Sequence, residues 1–164
     1  MDTDRSLQLA WAAGFVDGEA FVGMNRRHER NGRDYFTAIL DVSQNHAKPL
    51  ARLVELFGGG VKVRRVHKGV GAGTSHYFWR LHGEKAIRAL TALLPYLIVK
   101  DRQARVLVDF QATMAGYGRK RRITTDAYVY RCGLYALLVE LNSRPPSDAE
   151  RLSEAAPLTL VVNG

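Results

Sequence analysis

The chain has 164 residues, 46% of them hydrophobic and 24% charged, the size and balance of one globular domain able to bury its own core. Lys and Arg number 24 against 16 Asp and Glu, a net charge of +8, which directs the search for a partner toward nucleic acid or another polyanion. The single cysteine, Cys132, excludes an internal disulfide and a cysteine-built zinc site, and no segment has the length and apolarity of a membrane span.

In chain order, Ser6 to Val16 reads as a helix with Ser6 as its N-cap, broken by Asp17-Gly18. Ala10, Ala13, Gly14 and Asp17 share one face by their i, i+3, i+4, i+7 spacing, and small residues there let a second backbone come close. The helix delivers a carboxylate, Glu19, at its end. Ala20 to His28 and Tyr35 to Ser43 then read as two strands joined at Asn31-Gly32, a strong hairpin signal. In the second strand Phe36, Ala38, Leu40 and Val42 alternate with Tyr35, Thr37, Ile39, Asp41 and Ser43, so one face is core and the other mostly polar.

Ala47 to Phe57 is an amphipathic helix stopped by Gly58-Gly59-Gly60. A second hairpin follows, Val61 to His67 and His76 to His82, around a glycine-rich loop at Gly69 to Ser75. Tyr77, Trp79 and Leu81 form one face of its second strand; His76, Phe78, Arg80 and His82 form the other. From Val61 to His82 there are five Lys and Arg residues and no acid. Helices are expected over Glu84–Leu94, Asp101–Gly116, Thr124–Asn142 and Ser147–Ala155. The order is α-β-β-α-β-β-α followed by more helix, with no interdomain linker and no second copy of the opening segment.

Two antiparallel hairpins with a polar, basic face form a curved sheet that can lie on nucleic acid, where a β-ribbon fits the major groove and alternate side chains reach bases or phosphates. Asn25, Arg27, Arg33, Thr37, Asp41, Lys62, Arg64, His76, Phe78 and Arg80 are the candidates for that contact. One wet face is common in antiparallel sheets; the basic excess is what favours DNA or RNA. Asp17 and Glu19 are hard oxygen donors suited to Mg²⁺, with a backbone-capping role open for Asp17. Gly69-Val-Gly-Ala-Gly73 lacks the Lys-Ser/Thr and the strand–loop–helix setting of a phosphate loop and reads as a hairpin loop. Arg119-Lys-Arg-Arg122 is a phosphate contact or a solvated charge run. The five histidines lack metal-ligand spacing, and Cys132, in an apolar run, reads as a buried structural thiol.

The segment Leu9-Ala-Trp leading into Ala12-Ala-Gly-Phe-Val-Asp-Gly-Glu19 resembles the signature of the LAGLIDADG homing endonucleases, and most of residues 7–142 can be laid along that family's element order. The likeness is greatest to its single-motif, homodimeric branch. It implies an α+β fold with an αββαββα core, a curved antiparallel four-stranded sheet and C-terminal helices. The whole of 1–164 is then one domain, with its core at about 6–142 and a tail over 143–164.

By this resemblance two copies pack through the opening helix, with Ala10, Ala13, Gly14 and Asp17 at the interface. Glu19 and the Gly18 carbonyl bind Mg²⁺, with Mn²⁺ able to replace it. Val42-Ser-Gln-Asn45 resembles the segment that places a water-ordering glutamine, here Gln44. Lys48 stands where a basic residue approaches the scissile phosphate. Leu94-Pro-Tyr-Leu-Ile-Val-Lys100 matches the segment that carries the central basic residue, here Lys100. Three positions depart from the family's pattern: Glu19 where Asp is commoner, Ala20 in place of Gly, and Lys48 where Arg would offer a fork.

The implied function is metal-dependent double-strand cleavage of a long, near-palindromic DNA site by a homodimer, as in intron homing. The alternatives are a non-cleaving DNA-binding regulator and an RNA maturase on the same scaffold. Glu19, Gln44 and Lys100 together favour the nuclease, since a pure binder has no use for that trio. With no membrane partner and with Asp2 and Asp4 where a secretory signal would be basic, the expected location is the cytoplasm, or an organelle's matrix or stroma.

Overall fold

The computed structural model describes residues 3–30, 32–65, 75–114 and 123–143. Asn31, most of the glycine-rich loop, the Arg119–Arg122 run and the expected helix at Ser147–Ala155 lie outside them. The elements are α1 (Thr3–Glu19), β1 (Ala20–His28), β2 (Asp34–Gln44), α2 (Ala47–Phe57), β3 (Val61–Arg65), β4 (Ser75–His82), α3 (Glu84–Leu93), a 3₁₀ turn at Leu94–Tyr96, α4 (Asp101–Ala112) and α5 (Thr125–Ser143). The architecture is α+β, and the strands form one antiparallel sheet in the order β1-β2-β4-β3. None of the described helices is long and apolar enough to cross a membrane.

The alternation in the strands decides which side the helices cover. Val22, Met24, Phe36, Ala38, Leu40, Val42, Trp79 and Leu81 point to one side of the sheet and join one core with Ala12, Ala13 and Val16 of α1. Leu50 and Leu53 of α2, Leu90 and Leu93 of α3, Leu107 and Phe110 of α4 and Leu138 of α5 complete it. Among the described residues no helix layer from this core covers the opposite face. Ile39, buried but outside the core cluster, belongs to that second face.

Local chemistry sets the ends of the elements. Gly58 and Gly59 take positive φ (76° and 88°) where α2 stops, a region that favours glycine. A Cβ on Gly59 would stand 3.1 Å from both Leu81 and Trp79. The Trp79 indole N–H donates to the Gly58 carbonyl at 2.8 Å, so the turn satisfies the one polar atom of a fully buried tryptophan. Arg131 of α5 donates to the hydroxyl and the carbonyl of Thr113, at 2.9 and 2.7 Å, just past the end of α4, where carbonyls lack helical partners.

Two expectations about α1 are corrected. Ser6 is not the N-cap, because the helix already begins at Thr3, and Asp17-Gly18 does not end it, because helical geometry runs on to Glu19. Asp17 accepts backbone N–H groups from the Ile98–Lys100 turn without unwinding its own. The helix expected from Asp101 to Gly116 ends at Ala112, where the Thr113 hydroxyl donates to the Phe110 carbonyl at 2.6 Å.

The β1–β2 hairpin is tied together and to α5 through Asp34. Its carboxylate accepts from Arg26 at 2.7 Å and pairs with His28 at 2.9 Å, and its backbone N–H donates to the Tyr128 hydroxyl at 3.2 Å. The hydrogen bond from Arg26, then that from His28, holds the Asp34 carboxyl below its ordinary value of 3.8. A carboxyl lowered on folding contributes stability that is complete above its unfolded pKa and is lost as pH falls through the folded value. Asp34→Asn is therefore expected to unfold at lower urea than the parent at neutral pH, with the gap closing below about pH 4. Urea titrations across that range check this, and a gap independent of pH would refute it.

Candidate functional site

Asp17 is the pivot of the helix tip. One oxygen accepts the backbone N–H of Ile98 at 2.8 Å, and the other accepts those of Val99 and Lys100 at 3.1 and 2.8 Å. A carboxylate taking three amides is held by charge-assisted bonds. These fix the turn that leads into α4 and set the Lys100 backbone against the end of α1. Asp17 is thereby occupied. Glu19, two residues on, is exposed, and no described residue engages its carboxylate. Gly18, also exposed, lies in the last turn of α1, where carbonyls lack intrahelical partners and the helix dipole is negative.

The sheet brings Gln44 to the same end. Ala20 pairs with Val42, so β2 runs two residues past the start of β1 and ends at Gln44 beside the tip of α1. Lys48 follows on the exposed side of the first turn of α2. Glu19, Gly18, Gln44, Lys48 and Lys100 thus gather at one end of the sheet. Among the described residues no group of three or more His, Cys, Asp or Glu could hold a metal as a cage. The donor set fits Mg²⁺ in its other habit, one or two protein oxygens with water and substrate phosphates completing the shell.

The expected small-residue face of α1 is corrected in part. Ala10 and Gly14 are exposed, but Ala13 is fully buried in this chain's own core and Asp17 is turned to the Ile98–Lys100 backbone. The open stripe is Leu7, Ala10, Trp11, Gly14 and Gly18, with Leu7 65% and Trp11 37% exposed. Among the described residues nothing lies within 4 Å of a Cβ placed on Gly14 or Gly18. Beside the tip, Ile98 and Val99 are 86% and 50% exposed. The sequence reading missed these large apolar residues.

On the open face of the sheet, Asn25 and Arg27 of β1 lie opposite Thr37 and Tyr35 of β2, and Asp41 lies opposite Arg80 of β4. Lys62 and Arg64 of β3 lie opposite Phe78 and His76. Nine of the ten candidates for nucleic-acid contact share this face. The tenth, Arg33, sits in the hairpin connection, where its guanidinium lies 5.6 Å from the centre of the Tyr128 ring and donates to the Ile123 carbonyl at 3.4 Å. It faces α5, because strand parity does not extend into a turn. Tyr35, Ser43 and His82 share the open face by the same alternation and belong with the candidates.

Acids temper the charge here. Arg27 pairs with Glu29 at 2.6 Å and stacks over Tyr35 at 5.4 Å. Arg80 is bonded to Asp41, which raises the guanidinium pKa further above its usual range. A groove of about 380 Å³ on this face is lined by Gly60, Val61, Lys62, Phe78, Arg80 and His82.

No protein-family profile and no curated protein sequence matches the chain. Solved structures do match in fold. I-CvuI, a homing endonuclease in complex with the I-CreI target, superposes with a TM-score of 0.68 at 20% identity, over 93% of this chain and 94% of that one. The archaeal intron-encoded homing endonuclease I-Vdi141I, complexed with DNA, gives 0.65 at 14% identity over 83% and 84%. The LAGLIDADG homing endonuclease I-GzeII, in complex with its DNA target, gives 0.57 at 7% identity over 88% of this chain and 48% of that one. The fold is that of the LAGLIDADG homing endonucleases.

If Asp17 positions the turn before α4, Asp17→Ala leaves three amides without their acceptor. The expected cost is about 1–3 kcal/mol in urea denaturation, with faster hydrogen exchange at Ile98, Val99 and Lys100. Unchanged exchange at those amides would contradict the role.

Proposed function

We propose that this chain, built on the LAGLIDADG homing-endonuclease fold, is a site-specific DNA endonuclease that works as a homodimer, with Mg²⁺, on a long and near-palindromic site. The observation that carries the reading is the division of labour at the tip of α1. Asp17 is consumed in holding the Lys100 turn, while Glu19 is left free beside it. A structural helix end needs the first acid and has no use for the second.

In this reading the Glu19 carboxylate and the Gly18 carbonyl hold the metal. Mg²⁺, when bound, supplies a Lewis acid for a phosphate oxygen and a template for the attacking water. Gln44 orients water through its amide, which both donates and accepts. Lys100 and Lys48 place ammonium charge where negative charge grows on the phosphoryl oxygens, the arrangement that lowers such a barrier. The open sheet face, with its basic residues, lies along the DNA; the I-CvuI, I-Vdi141I and I-GzeII structures being DNA complexes supports this. Mg and Ca in the I-CvuI crystals support a divalent metal.

One chain has one such tip, and two strand breaks need two. A unit of this size matches almost all of I-CvuI but about half of I-GzeII, which supports two copies here doing what one longer chain does there. The contact is the stripe Leu7, Ala10, Trp11, Gly14 and Gly18. Self-association through one patch makes a two-fold dimer, and the site it reads inherits that symmetry.

Selection of cleaved molecules from a randomised DNA library with Mg²⁺ tests activity and symmetry together. Recovery of one near-palindrome is expected, whereas tight binding without cutting would favour a non-cleaving regulator. Glu19→Gln is expected to keep dimerisation and DNA affinity and to lose Mg²⁺-dependent cleavage; undiminished cutting would sink the assignment. Gly14→Leu separates interface from fold. An added Cβ meets nothing within 4 Å among the described residues, and replacing a mid-helix glycine removes a penalty of about 0.5–1 kcal/mol. The protomer should stay folded while the dimer mass disappears, and an unaltered mass would refute the packing.

A further inference from the structure

Asp41 and Arg80 face each other across β2 and β4 in the middle of the open face. Arg80 Nη2 donates to Asp41 Oδ2, and the guanidinium lies 6.0 Å from the centre of the Phe78 ring. Among the described residues this is the one side-chain hydrogen bond Arg80 makes, and its side chain remains 43% exposed. Asp41 takes one of the two Nη2 hydrogens, and the other, paired with a neighbouring N–H of the planar guanidinium, leaves one two-donor edge for a ligand. The second Asp41 oxygen, Oδ1, is buried and has no partner among the described residues, and the Asp41 side chain is 20% exposed against 43% for Arg80, so the guanidinium is the more outward member of the pair.

An acid on a face that meets a polyanion lowers affinity, so its contribution has to be orientation. A free arginine gives up rotamer freedom on binding, and one tethered beforehand gives up less. The pairing also cancels the arginine's net charge. That weakens its pull on phosphate, which is mainly coulombic, and leaves its donors aimed at a neutral acceptor. The neutral group that matches a guanidinium fork in the major groove is the O6/N7 edge of guanine.

We propose that Arg80 reads a guanine and that Asp41 is the positioning residue that aims it, with no base contact of its own. The proposal rests on the DNA-binding reading above. It also locates the base. Asp41 precedes Gln44 by three residues on β2, about 10 Å at the rise of a strand. That is about three base-pair steps at 3.4 Å each. The guanine therefore lies in the part of the half-site nearest the cut.

The test profiles wild type, Arg80→Ala, Arg80→Lys and Asp41→Asn, as full-length chains, for cleavage and binding on DNA with every half-site position varied symmetrically. Wild type is expected to prefer guanine at one position per half-site near the cut. Arg80→Ala and Arg80→Lys should each lose about 10-fold of that preference and keep the preferences elsewhere, since lysine keeps the charge and lacks the fork. Asp41→Asn should weaken the same preference while raising affinity for unrelated DNA. An unchanged profile in Arg80→Ala overturns the proposal. So does a uniform loss of affinity over all sequences with a salt slope lower by about one, the mark of a phosphate contact. A wild-type chain that binds no member of the library overturns the endonuclease reading as well, whereas cutting with a profile indifferent to Arg80 overturns only this assignment.

Discussion

The sheet has helices against one face, and most other features follow from that. Burying a strand on one side forces its side chains to alternate, and a one-residue slip would exchange the two sets. Leu40 and Trp79 are therefore fully buried, while Asp41 and Arg80, next to them in the chain, stand on the other side. The free edges need separate treatment, since unpaired strand edges invite pairing with other chains. At the β1 edge, the Asn142 amide of α5 donates to the Val22 carbonyl at 3.1 Å. At the β3 edge, Lys62, Arg64 and Arg65 are exposed, and charge discourages the approach of another strand.

The end of α1 shows how two acids two residues apart acquire opposite fates. Successive helical residues are turned by about 100°, so Asp17 and Glu19 cannot face the same way. Asp17 turns to the Ile98–Lys100 amides, which joins the start of the chain to a turn 81 to 83 residues later in sequence. Glu19 points elsewhere and stays in solvent. Because the same carboxylate holds Lys100 in place, the free acid and the lysine are positioned by one interaction. On the proposed reading, loss of Asp17 would then disturb cleavage without removing a catalytic group.

How much of this could be read from the residues depends on the element. The strands are legible because polar and apolar residues alternate from Phe36 to Val42 with the single exception of Ile39, and α2 because its leucines repeat at helical spacing and three glycines stop it. The face of α1 is not. Alanine and glycine carry too little hydrophobic contrast to say which side is core, and spacing alone grouped Ala13 with Ala10 and Gly14. The structure instead buries Ala13 and exposes Leu7 and Trp11, an outcome opposite to what side-chain size predicts for a lone protomer. Lys100 came from likeness to a family segment; the residue contact that fixes it, Asp17 to its backbone N–H, has no signature in sequence. Arg33 failed for the plainest reason, since a period of two has no meaning inside a turn.

The distribution of compensated charge sharpens what the open face would do with DNA on the proposed reading. Arg27 and Arg80 are matched by Glu29 and Asp41, whereas Lys62 and Arg64 on the edge strand have no acid partner among the described residues. Uncompensated charge acts at a distance and without regard to base, drawing in a duplex and holding its phosphates. Compensated charge acts only on contact, where the geometry of the donors matters more than their sign. On the proposed reading, attraction therefore comes from β3 at the rim and discrimination from the paired residues of β1, β2 and β4. A sheet with all its arginines unpaired would bind DNA more tightly and choose among sequences less well.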